Sequence, residues 1–203
     1  MSFIRLHKIT NSDYINYLLI FCFFLYSLYI VKHHYDGHHL GLLYSNAQDL
    51  INGKIPYKEI FIQYGFLTTL IHSLILLLFE NKLFFISVSG ALFYSISILL
   101  ISSSLKIIIN SNYALLSSII ILFNHPVPLL PWPNYISFFF ITLSIFIMTK
   151  KNTNYFISGL FLSLAILSRQ EILIPILLSF FILCLFNLKN FHKKYISNFW
   201  KLF

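Results

Sequence analysis

Residues 32–65 gather an unusual share of the side chains able to do chemistry. The stretch holds Asp36, Asp49 and Glu59 of six acids in the chain, and His33, His34, His38 and His39 of eight histidines. Asp36 follows the first long apolar run directly. A carboxylate at a lipid–water boundary can take the proton of an acceptor hydroxyl while a lipid headgroup lies beside it. To act as a base near neutrality it needs a raised pKa from partial desolvation, or help from a bound divalent ion. His34, Asp36 and His38 form a set able to ligate such an ion, with His38 as the metal candidate. Consecutive histidines also suit a membrane interface, and no spaced Cys or HExxH pattern accompanies them. The plain alternative is a solvated loop whose acids balance Lys32, Lys54 and Lys58.

Other candidates lie at the edges of apolar runs. Lys54, Lys58 and Arg169 could meet a phosphate, Arg by a two-pronged fork and Lys as a point charge. The lysines equally suit topology, and Arg169 equally suits an ion pair with Glu171 at a helix end. Trp132, Asn134 and Tyr135 could stack on a sugar ring and bond its hydroxyls, and His125, just before Pro126, could contact the acceptor or be a plain loop histidine. Aromatic residues of a membrane belt have the same composition. Cys22 and Cys184 sit inside apolar runs as small hydrophobes, and neither a disulfide nor a metal is assigned to them.

The elements that must position these residues follow from composition. Of 203 residues, 58% are hydrophobic and 10% charged, too few charges to cover a water-soluble domain. The net charge of +8 is dispersed between apolar runs and forms no basic face for nucleic acid. The expected fold is all-α, a multi-pass transmembrane bundle of about six or seven membrane helices in a single domain over residues 1–203. The runs are Tyr14–Val31, read as an uncleaved first span, then Phe66–Phe79, Leu83–Ser103, Ile107–Phe123, Tyr135–Met148, Tyr155–Ser168 and Ile172–Asn187. Several are short, about 21 Å as helix against a core of roughly 30 Å.

Within the loop, Leu40, Leu43, Ala47 and Leu50 recur at helical spacing, with Asn46 and Asp49 on other faces and Gly53 as the C-terminal cap. Pro56 opens a second short helix that sets Tyr57, Ile60, Phe61 and Tyr64 on one side. Two amphipathic juxtamembrane helices are therefore expected. Counting Lys and Arg leaves the topology open between seven crossings with the N-terminus on either side and a version in which Ile107–Phe123, broken at Asn110-Ser111-Asn112, turns back. In each of these Phe66–Phe79 crosses, so Lys82 returns to the side of the N-terminus and Lys106 lies opposite.

Three stretches carry a family resemblance. Tyr35-Asp36-Gly37-His38-His39, and then Asn52 through Gly65 with its Gln63-Tyr64-Gly65 ending, resemble the first extracytoplasmic loop of bacterial GT-C glycosyltransferases, of the protein mannosyltransferase and aminoarabinose transferase type. Ser158 through Gln170 is similar to a later membrane helix of such proteins ending in a basic residue, and Pro131-Trp132-Pro133-Asn134-Tyr135 is similar in a looser way. Those enzymes have an essential acid just after the first membrane helix, a position that Asp36 matches. Many carry a second acid in the loop, where this chain has Gly37 and His38.

The resemblance implies transfer of a sugar from a polyprenyl-phosphate donor to a glycan or lipid acceptor of the cell envelope, at the plasma (inner) membrane. It implies an extracytoplasmic 32–65 loop and a chain that is the N-terminal part of a longer fold. Asp36 becomes the catalytic base. Lys54, Tyr57, Lys58, Gln63, Trp132, Asn134 and Arg169 become substrate contacts, with a divalent ion near His38 as an optional cofactor. The competing readings are a transporter or flippase component, which commonly keeps ionisable groups near the midplane, and a non-catalytic membrane subunit.

Overall fold

The computed structural model describes residues 10–33, 39–80, 82–124, 133–150, 154–179 and 181–182. The fold is all-α. The chain divides into two units, Met1–Arg169 and Gln170–Phe203. In the second, a 3₁₀ turn Gln170–Ile172 leads into a helix that reaches Ser179, exposing Leu173, Ile174, Leu177 and Leu178.

The first unit contains α1 (Asn11–His33), α2 (His39–Ile51), α3 (Phe66–Leu78), α4 (Leu83–Ile108), α5 (Ser111–Asn124), α6 (Pro133–Met148) and α7 (Tyr155–Ser168). Helix α1, of 23 residues, and α4, of 26, are long and apolar enough to cross a membrane. The other helices among the described residues are shorter. Polar residues start several of them. Thr10 and Asp13 cap α1 reciprocally, the Thr10 N–H donating to Asp13 Oδ2 at 2.7 Å and the Asp13 N–H to Thr10 Oγ1 at 3.4 Å. Asn110 Oδ1 accepts from the N–H groups of Asn112 and Tyr113, and Asn154 Oδ1 from that of Ile157.

Helix α4 is the hub, packing against α1, α3, α5 and α6. Its Ala91, Tyr94 and Ile98 join Ile20, Leu122 and Tyr135 in one core, while Ile86 joins Leu40, Ala47 and Leu76 in another. Serines stitch neighbouring helices: Ser102 Oγ pairs with Ser118 Oγ between α4 and α5, and Ser144 Oγ with Ser158 Oγ at 2.7 Å between α6 and α7.

Asp13 and Lys106 set the direction of α4. Lys106 Nζ donates to Asp13 Oδ2 at 2.8 Å, and Phe23 meets Tyr94 with ring centroids 5.8 Å apart. Helices α1 and α4 therefore run antiparallel, and Lys106 stands beside the start of α1. Lys82 lies 24 residues back along α4, about 36 Å away. This reverses the expected sides of Lys82 and Lys106. Helix α3 has 13 residues, about 20 Å, and does not carry the chain back to the end where α1 starts. The expected run Ile107–Phe123 is also redrawn, because Ile107 and Ile108 finish α4 and the chain turns at Asn110 before α5 begins.

Candidate functional site

The loop begins on α2. Leu40, Leu43 and Ala47 are buried as their spacing predicts, and Gly53, at φ +82°, ends the helix in the left-handed conformation expected of a cap. Asn46 departs from expectation. It is buried with the apolar face rather than turned away, and its Nδ2 donates to the Phe61 carbonyl at 2.9 Å, pinning the loop to the helix. Lys54 pairs with Asp49 at 2.7 Å, one turn back across the cap.

The second juxtamembrane helix expected from Pro56 does not form. Residues 55–60 instead fold into a knot of turns in which the Ile55 carbonyl accepts from the N–H groups of Lys58, Glu59 and Ile60. The Glu59 carboxylate accepts from the Ile55 N–H at 2.7 Å, and Tyr57 takes a positive φ of 62°. A side chain that bonds its local backbone competes with helix, and a left-handed residue cannot continue one. The faces change accordingly. Ile60 is buried and anchors the turn, while Tyr57, Lys58, Phe61 and Gln63 are exposed.

The loop is then joined to the end of α7. The Gly65 N–H donates to the Ser168 carbonyl at 3.1 Å, and Thr68 Oγ1 donates to the same oxygen at 2.9 Å. The approach is so close that a Cβ on Gly65 would overlap the Leu167 carbonyl. At this junction Arg169 lies over the Tyr64 ring, its guanidinium carbon 6.0 Å from the centroid. Gln63-Tyr64-Gly65 and Ser168-Arg169, more than a hundred residues apart in sequence, thus meet at the C-terminal end of α7.

Asn134 belongs to the same end of the α6–α7 pair. Ser144 faces Ser158, and Asn134 and Ser168 each lie ten residues further from that contact in the same direction. The Oδ1 of Asn134 is buried without a hydrogen-bond partner among the described residues, an acceptor left to be satisfied. Asp36, His38 and Trp132 lie outside the described residues, as do His34 and His125. Among the described residues no group of three His, Cys, Asp or Glu side chains could hold a metal ion.

Three residues of this region escape a reading by residue type: Asn46, Thr68 and Glu59 place the loop rather than decorate it. Their sequence signals are faint. Thr68 and Thr69 with His72 and Ser73 form a polar patch in an apolar run, all four buried. Comparison with family models, with curated proteins and with solved structures finds no match for this chain.

Proposed function

We propose that the chain is a multi-pass membrane protein that transfers a sugar from a polyprenyl-phosphate donor to a cell-envelope acceptor, with the 32–65 loop outside the cytoplasm. The observation that carries the reading is the junction of that loop with α7. The Tyr64-Gly65 and Ser168-Arg169 stretches, both part of the resemblance to GT-C enzymes, meet through the Gly65 N–H, which donates to the Ser168 carbonyl beside the Thr68 hydroxyl. The membrane setting has separate support. Among the described residues, buried polar side chains outnumber buried apolar ones, while the free surface of α1 is Tyr14, Ile15, Leu18, Phe21, Leu25, Tyr26 and Tyr29. A polar inside with an apolar outside suits lipid and not water.

In the proposed reaction the acceptor hydroxyl gives its proton to the Asp36 carboxylate. Its oxygen bonds to the anomeric carbon, and the bond from that carbon to the phosphate oxygen breaks. Polyprenyl phosphate departs with the bonding pair, its negative charge met by Arg169 and Lys58. Lys54 is partly neutralised by Asp49 and contributes less. In this reading Tyr57, exposed on the knot of turns, and Gln63, exposed just after it, contact the acceptor, and Trp132 and Asn134 the sugar. A divalent ion bound at His38 would help to lower the pKa of that hydroxyl.

Membranes containing the protein, given a radiolabelled polyprenyl-phosphate sugar, should release label to acceptor. Asp36→Asn should abolish release with insertion unchanged, and Arg169→Lys should weaken it by loss of the bidentate fork. Full transfer by Asp36→Asn would remove Asp36 as base. A carrier is the second reading, favoured by His72, fully buried in α3 with Nδ1 unpartnered among the described residues. It predicts substrate flux in vesicles that Asp36→Asn leaves intact and His72→Ala abolishes.

A further inference from the structure

The junction of the loop with α7 is level with the middle of α4. Ser168 stands opposite Asn134 in the antiparallel α6–α7 pair, and the residue after Asn134, Tyr135, meets Tyr94 of α4 with ring centroids 5.2 Å apart. Tyr94 is about 17 Å from the first residue of α4 and about 21 Å from the last. A second route along the chain reaches the same level. Phe79, just past α3, stacks on Phe85 in the first turn of α4 with centroids 4.2 Å apart, and Leu76 shares a core with Ile86. From there α3 leads back about 20 Å to Gly65, whose N–H is bonded to the Ser168 carbonyl. Leu40, in the first turn of α2, joins the core of Leu76 and Ile86, so α2 also starts beside the Lys82 end of α4 and runs alongside α3.

We propose that α2, the knot of turns and α3 form a re-entrant hairpin, which dips from the Lys82 face of the membrane to mid-depth and returns without crossing, and that water reaches its tip through a crevice. The inference rests on the membrane reading above, with α4 as a full span. Each leg has 13 residues, about 20 Å, which suits half of a roughly 30 Å core with its headgroup layer and falls short of the whole.

The side chains at the tip call for the water. Lys58 and Gln63 are exposed there, and Lys54 is 49% exposed beside Asp49. A lysine in hydrocarbon is costly, and non-helical backbone at membrane depth is tolerated only where protein buries it or a water-filled cavity runs past it. Phe61, 74% exposed, and Ile55 are apolar and suit lipid beside such a crevice. On the transferase reading, a phosphate meeting Lys58 and Arg169 then lies within the thickness of the bilayer and not at its surface, and the acceptor hydroxyl reaches it through the crevice.

The test uses the full chain with Cys22→Ser and Cys184→Ser, reconstituted in phosphatidylcholine–phosphatidylglycerol vesicles, with one cysteine introduced at a time. Bimane on Phe61→Cys should be quenched at least about twofold more by a lipid carrying a nitroxide deep in its acyl chain than by one carrying it on the headgroup, and bimane on Lys82→Cys should show the opposite order. A charged, impermeant thiol reagent should label Lys58→Cys and Gln63→Cys from one face only, since a crevice open to both faces would leak. Headgroup-weighted quenching at Phe61→Cys, or no labelling of either tip cysteine from either face, would overturn the inference. Lys82→Cys and Ile109→Cys separate the two levels. If they label from opposite faces, α4 crosses and failure at the tip sinks only the hairpin, whereas labelling of both from the same face sinks the membrane reading with it. None of these readouts depends on sugar transfer, so its absence would leave the hairpin standing.

Discussion

Two regions of the first unit handle charge in opposite ways. Where α1 starts, Asp13 accepts from Lys106 Nζ, the Thr10 N–H and the Thr10 hydroxyl, with Ser12 donating to Asn112 Oδ1 alongside at 2.6 Å. The two side chains of the ion pair are 4% and 18% exposed. In the loop, Lys54, Lys58 and Gln63 stay at the surface, and the polar bonds that are buried belong to the backbone and to Asn46 and Thr68. The first arrangement consumes its charges in holding helices together. The second fixes a backbone and leaves side chains available to a ligand. Burial and satisfaction thus separate a structural ion pair from a candidate site better than residue type does.

The sharpest way to break this contrast is at Lys106. Lys106→Met leaves the buried Asp13 carboxylate without its counter-charge, held by Thr10, with an expected loss of about 3–5 kcal/mol, whereas Asp13→Asn with Lys106→Met should recover most of it. Unfolding of the two purified variants in detergent checks this. Equal stability of both would mean that the pair is not coupled. The transfer activity proposed above should, per folded molecule, be unchanged in the double variant.

Gly65→Ala comes next. Its Cβ meets backbone at Leu167 and Ser168, which cannot rotate away, so the loop must part from α7. A loss of roughly 1–3 kcal/mol is expected, and the proposed transfer should fall by more than the folded protein does, read by activity per folded molecule. Thr68→Val keeps the shape and removes one of the two donors to the Ser168 carbonyl, for about 1 kcal/mol by thermal unfolding. Lys54→Ala should be smallest. The pair with Asp49 is half-exposed, and under about 1 kcal/mol is expected from it. A Lys54 effect on stability as large as that of Lys106 would erase the distinction between the two regions.

The helices were readable because their causes are local. Tyr155–Ser168 keeps its expected bounds, and Tyr14–Val31 lies inside α1 with a short extension at each end. Leu83–Ser103 grows to Ile108 because Lys106, a charge that reads as a stop, has a buried carboxylate waiting on another helix. The Pro56 segment misled for the complementary reason. Tyr57, Ile60, Phe61 and Tyr64 have helical spacing, yet Glu59 folds back on Ile55 and Ile60 is drawn alone into the interior. Asn46 was misplaced because its reward for burial, the Phe61 carbonyl, is fifteen residues away.

What the sequence determined by itself was the helical character, the apolar runs and the concentration of acids and histidines in one loop, all set by hydropathy and by bonding within a few residues. Tertiary structure decided which ends meet. Asp13 finds Lys106 across 93 residues, and Gly65 finds Ser168 across more than a hundred. Neither pairing has a periodic signature, because it depends on helix direction and on a glycine small enough for two backbones to touch. The direction of α4, the failure of α3 to reverse the chain and the place of Arg169 beside Tyr64 all follow from those two contacts.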